Sequence, residues 1–130
     1  MITEDYVSFE IAKILKEKGF DEKTRDFYRF ENNIWIHRNT YEHNYFNLGM
    51  PIWENCYSCP TQQMVMKWLR EEHNLFIQIT VDFSDGIYPM YDVYIVDLAR
   101  CTFITVNGYD RYLYIKAAEA GIKYCLENLI

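Results

Sequence analysis

Residues 60–83 read PTQQMVMKWLREEHNLFIQITVDF, and the hydrophobic period changes partway along this stretch. Met64, Val65, Trp68 and Leu69 recur at three- and four-residue steps among strong helix formers, with Lys67, Arg70, Glu71 and Glu72 off the stripe. That pattern predicts an amphipathic helix entered through Pro60, with Ser58 or Cys59 just outside it, and ended by Asn74. The continuation is a strand carrying Phe76, Ile77, Ile79, Val81 and Phe83. Helix followed directly by strand, with an apolar stripe that needs a sheet to cover it, points to an α+β fold.

The same logic extends toward the C-terminus. Ser84-Asp85-Gly86 is a turn signal. Residues 87–98, IYPMYDVYIVDL, form a second strand whose Pro89 belongs at its start or edge, and residues 101–106, CTFITV, form a third. Connections this short favour antiparallel neighbours. After Asn107-Gly108, a final helix is expected over about residues 111–128, with Ile115, Ala118, Ile122, Leu126 and Leu129 inward. Ala117, Gly121 and Cys125 lie beside that stripe, and Gly121 reads as a site of close helix packing.

Toward the N-terminus, a first helix is expected from about Glu4 to Lys18, capped by Thr3, with Val7, Ile11, Ile14 and Leu15 as its stripe. Gly19 stops it and Phe20 folds back. Phe27–Phe30 and Ile34–His37 read as a hairpin around Glu31-Asn32-Asn33. Residues 38–60, RNTYEHNYFNLGMPIWENCYSCP, have no period, so they are either an ordered loop or contain a strand. The sum is one two-layer α+β domain spanning residues 1–130, with a mainly antiparallel sheet of about five strands and three helices.

Composition limits the function classes. Of the 130 residues, 18% are aromatic, including 12 Tyr, enough to stiffen a core or coat a recognition surface. The formal charge of −6, with Lys and Arg scattered rather than clustered, disfavours nucleic acid. No apolar run approaches the roughly 20 residues of a membrane span, so no membrane association is expected. The first residues lack the basic-then-apolar order of a secretory signal, and a cytoplasmic location is expected.

The chemistry-bearing motifs are sparse. Cys56 and Cys59 form a CxxC pair ahead of the second helix, where free N–H groups would favour a thiolate, but no βαβ context surrounds it. The same pair with His37 and His43 is a weak alternative zinc set, lacking the second CxxC or HxxxH pair of a closed site. His73 stands about 21 Å further along a helix, too far to share that metal. Asp82 with Asp85, or Asp92 with Asp97, has no distinguishing spacing. No catalytic residue, metal or other cofactor is therefore expected.

The segments PTQQMVMKWLREEHNLFIQI and AAEAGIKYCLENLI, with FEIAKILKEKGFDE near the N-terminus, resemble a family of small uncharacterised proteins from Bacteroides-type gut bacteria and their phages or mobile elements. The resemblance implies membership without a site or an activity. The leading expectation is a small non-catalytic accessory or binding protein. It would use an aromatic surface of Tyr41, Tyr45, Phe46, Trp53 and Tyr57 to bind another protein or itself as a homodimer. An enzyme of unrecognised type and a nucleic-acid-associated protein are the alternatives.

Overall fold

In a computed structural model, which describes residues 3–39 and 56–130, the chain divides into two compact units, Met1–Thr61 and Gln62–Ile130. The fold is α+β, with three α-helices among the described residues. Among the described residues there are six strands in two three-stranded antiparallel sheets, where one sheet of about five strands was expected.

In the first unit, helix α1 spans Phe9–Glu17 and is followed by strands β1 (Asp26–Glu31), β2 (Ile34–Asn39) and β3 (Cys56–Ser58), in the order β2-β1-β3. The helix begins later than Glu4 because backbone pairing takes the residues before it. Tyr6 bridges Thr61, and the Val7 N–H donates to the Pro60 carbonyl at 3.1 Å. Ser8, rather than Thr3, is the cap, its hydroxyl accepting from the Ile11 N–H at 3.3 Å. At the other end Gly19 adopts φ +88°. The N–H groups of Gly19 and Phe20 return to the carbonyls of Lys16 and Leu15, and Phe20 is fully buried.

The hairpin forms as expected, with β1 one residue longer at each end and β2 starting at Ile34 and running two residues further at its C-terminal end. Asn32 and Asn33 both have positive φ, 51° and 64°, which suits a two-residue turn between right-twisted strands. Strand β3 shows that the aperiodic segment 38–60 does contain a strand. Tyr28 stands opposite His37 on one side and Tyr57 on the other, so these three share a face with Asp26, Phe30 and Trp35. Helix α1 lies on that face through Phe9, whose ring stacks on Trp35 at 4.7 Å and meets Tyr28 and Tyr57 edge-on.

In the second unit, helix α2 (Gln62–His73) leads through Asn74, at φ +56°, into strand β4 (Leu75–Asp82). Strands β5 (Met90–Asp97) and β6 (Thr102–Val106) complete a β4-β5-β6 meander, and helix α3 (Tyr114–Tyr124) closes the unit with a wide π-type turn over Cys125–Leu129. Helix α3 starts later than Arg111 because that residue's carbonyl accepts the Tyr91 N–H at 2.7 Å and holds the preceding chain to the sheet. The inward residues of α3 are Ala117, Ala118, Gly121, Ile122, Cys125 and Leu126; Ile115, placed in the stripe by periodicity, is exposed.

Alternation divides the sheet into two faces. Leu75, Ile77, Val93, Ile95 and Val106 are buried on the side that α2 and α3 cover. The approach of α3 is set by Gly121. A Cβ there would lie 2.9 Å from Ile77 Cγ2 and 3.0 Å from Val93 Cγ1, both on β-branched side chains with little rotamer freedom. Gly121→Ala should therefore destabilise the protein by about 1–3 kcal/mol despite its better helix propensity. Urea unfolding measures this as a lower midpoint with an unchanged slope.

Candidate functional site

The outer face of the second sheet follows from the same alternation. Phe76, Val96 and Phe103 stand side by side across the three strands, and Gln78, Tyr94 and Thr105 form the next row. Period two fixes this: once Ile77, Ile95 and Ile104 turn inward, their neighbours must turn outward. Neither helix of the unit packs on this side. Phe103 is 70% exposed, Leu98 47% and Phe76 37%, large values for residues that gain by leaving water.

Tyr94 meets Phe103 edge-on at 6.3 Å, which orients the rings along the face. Beside them lies a groove of about 550 Å³ lined by Gln78, Tyr94, Val96, Leu98, Cys101 and Phe103. Its lining is mostly apolar, with Gln78, Tyr94, Asp97 and Thr102 supplying the polar points. Cys101 adopts φ +57° in the β5–β6 turn, and its exposed thiol sits at the rim. The turn is held by Asp97, whose Oδ1 accepts the N–H groups of Ala99 and Arg100, both at 3.0 Å.

A polar cluster occupies the other end of this same face. Arg111 donates through Nε to Asp92 at 3.1 Å and through a terminal nitrogen to both Asp92 and Asp82, the latter at 3.4 Å. Thus the acids that come together are Asp82 and Asp92, not Asp82 with Asp85 or Asp92 with Asp97, and one guanidinium binds both. Asp85 accepts from the Tyr112 hydroxyl at 3.0 Å, while Tyr109 donates to the Tyr91 carbonyl at 2.8 Å. The Ser84 backbone N–H, with its side chain and the Arg111 charge adding to the effect, holds the Asp82 carboxyl below its ordinary range.

Of the aromatic surface expected from sequence, Tyr41, Tyr45, Phe46 and Trp53 lie outside the described residues. Tyr57 is half-buried in the first unit, its ring against Phe9 and Trp35 and beneath the Lys16 ammonium at 5.0 Å. Of the alternative metal set, His43 also lies outside the described residues. His37 pairs through Nε2 with the buried Asp26 carboxylate at 2.7 Å, with Tyr6 and Tyr28 against its ring. Cys56 belongs to β3, and its neighbour Cys59 follows the strand, so the CxxC pair does not open a helix; both thiols are buried.

Burial alters the chemistry of these sulfurs. It pushes the Cys59 and Cys125 thiols each up to about 12 and raises Cys56 as well, keeping them protonated near neutrality. Among the described residues no group of three or more His, Cys, Asp and Glu converges as metal ligands. Among them, too, no helix is long and apolar enough to cross a membrane.

The outer sheet face was missed by sequence reasoning, although its strands were not. The signal was present in Phe76, Tyr94, Val96 and Phe103, but alternation cannot say which parity a helix covers when both are apolar. No protein-family model, curated protein or solved structure matches the chain.

Two measurements check this chemistry. With a chromogenic disulfide reagent at pH 8, one thiol per chain should react promptly in the native protein, and Cys101→Ser should remove that phase. Cys56, Cys59 and Cys125 should react only on unfolding. The lowered folded-state value of Asp82 also means that its charged form stabilises the fold above the ordinary carboxyl value of 3.8, and that this is lost as pH falls through the folded value. Asp82→Asn should accordingly show a smaller drop in melting temperature between pH 7 and pH 3 than the unaltered protein.

Proposed function

We propose that this chain is a small non-catalytic binding protein whose working surface is the outer face of the β4-β5-β6 sheet. The observation that carries this is the row Phe76–Val96–Phe103. It leaves two phenylalanines substantially in water on a regular sheet, beside an apolar groove. Contiguous exposed apolar area of this kind is the usual mark of a recognition site, and aromatic residues supply much of the energy in such contacts.

The polar groups elsewhere support binding over catalysis. Arg111 is committed to Asp82 and Asp92, Asp26 to His37, and the thiols of Cys56 and Cys59 are buried and protonated. A general base or nucleophile needs a free proton-accepting atom facing a substrate, and these clusters spend that capacity internally.

Placing a photo-crosslinking amino acid at position 103, and separately at the exposed Glu71, tests the proposal in cells that make the protein. Position 103 should give discrete protein adducts, with another polypeptide or with a second copy, and position 71 should not. Equal, diffuse labelling at both sites would overturn the proposal.

A further inference from the structure

Among the described residues, strand β6 forms one edge of the second sheet and pairs with β5 alone. Its sequence, Thr102-Phe-Ile-Thr-Val106, has no charge, no proline and an unbroken register over all five residues. Charged residues, proline and bulges are the features by which natural edge strands normally discourage further pairing, and β6 has none of them. Four of its five residues are exposed or half-exposed, and only Val106 is buried. The other edge, β4, ends in Asp82, which is engaged by Arg111. In the first sheet, β2 carries His37 and Arg38, and β3 has three residues.

We infer that the edge of β6 pairs antiparallel with β6 of a second copy of this chain, about a two-fold axis through Ile104, joining two three-stranded sheets into one of six. The inference rests on the outer sheet face being the working surface, and it names the occupant. Under this axis Phe103 faces Thr105 of the second copy, and Thr102 faces Val106. Uncharged residues therefore meet along the whole ladder, although each chain carries a net charge of −6.

Charge complementarity at the ends favours a second copy over an unrelated strand. The same axis brings Arg100 of one copy to the Gly108–Asp110 turn of the other, and the symmetry does this twice. The Arg100 side chain is 83% exposed, and among the described residues its ion pair is with an Asp97 oxygen at 3.9 Å, which leaves donors to spare. Asp110 is exposed, and its Oδ1 accepts the Tyr112 N–H. An isologous interface requires a patch that matches itself in this way. Each Phe103 ring would lie against Thr105 of the other copy on the outer face, reducing its exposure.

The test is sedimentation velocity and equilibrium of the full chain from about 5 to 500 µM. A reversible dimer is expected. Phe103→Lys, at an exposed position, should weaken it by about tenfold or more while leaving circular dichroism unchanged. Arg100→Glu and Asp110→Arg should each weaken it by about fivefold, and the two together in one chain should restore it. In a Cys101→Ser background, Ile104→Cys should form a 104–104 disulfide on mild oxidation.

A monomer throughout that range overturns the inference, as does a dimer indifferent to Phe103→Lys. If the chain stays monomeric while position 103 crosslinks to a different polypeptide, the binding surface stands and the second copy is ruled out. If position 103 crosslinks to nothing, both fail together.

Discussion

The close approach of α3 to the second sheet governs much of that unit. Gly121 removes the one side chain that would hold the helix away from Ile77 and Val93, so the helix backbone settles onto the centre of the sheet. With α2 along β4 and beside α3, one face of a three-stranded sheet is fully used. Side chains on these strands, which pair in unbroken register, alternate between faces, so every residue that serves this core commits its neighbour to the other side. The exposure of Phe76 and Phe103 is thus a direct geometric consequence of burying Ile77, Ile95 and Val106.

The first unit solves a similar problem with aromatic rings. A nine-residue helix and short strands offer limited aliphatic area, and Phe9 compensates by touching a ring on each of the three strands. The same face buries a carboxylate, Asp26, which would be costly alone and is matched by His37. Tyr28 links the two features, packing against Phe9 and His37 and donating through its hydroxyl to the Val7 carbonyl at 2.7 Å. The high tyrosine content therefore serves structure in this unit as much as recognition, because a ring can be buried while its hydroxyl satisfies a backbone carbonyl.

Several residues with chemical potential prove to be structural partners of one another. Arg111 neutralises two acids from neighbouring strands and, through its own carbonyl, ties the approach to α3 to β5. The CxxC pair looks reactive beside a helix start, but strand pairing draws it into buried positions where desolvation opposes thiolate formation. Outward-facing in the second unit are the phenylalanine row, Leu98 and the uncharged edge of β6.

The boundaries set by local sterics were legible in the residues themselves. Gly19, Asn32-Asn33 and Asn74 occupy positive-φ positions that few other residues tolerate, and the changes of period around them identify helices and strands. These features depend on residues within one turn or one hairpin of each other, so a linear reading reaches them, and with them the α+β class. The division of six strands between two sheets, the parity turned to solvent, and the pairing of Arg111 with Asp82 and Asp92 were decided only in three dimensions. Each depends on residues far apart in the chain meeting in one register, and the sequence carries no local signal of that register. A strand such as β5, with Tyr91, Val93 and Ile95 on one parity and Tyr94 and Val96 on the other, shows that it will be buried but not on which side.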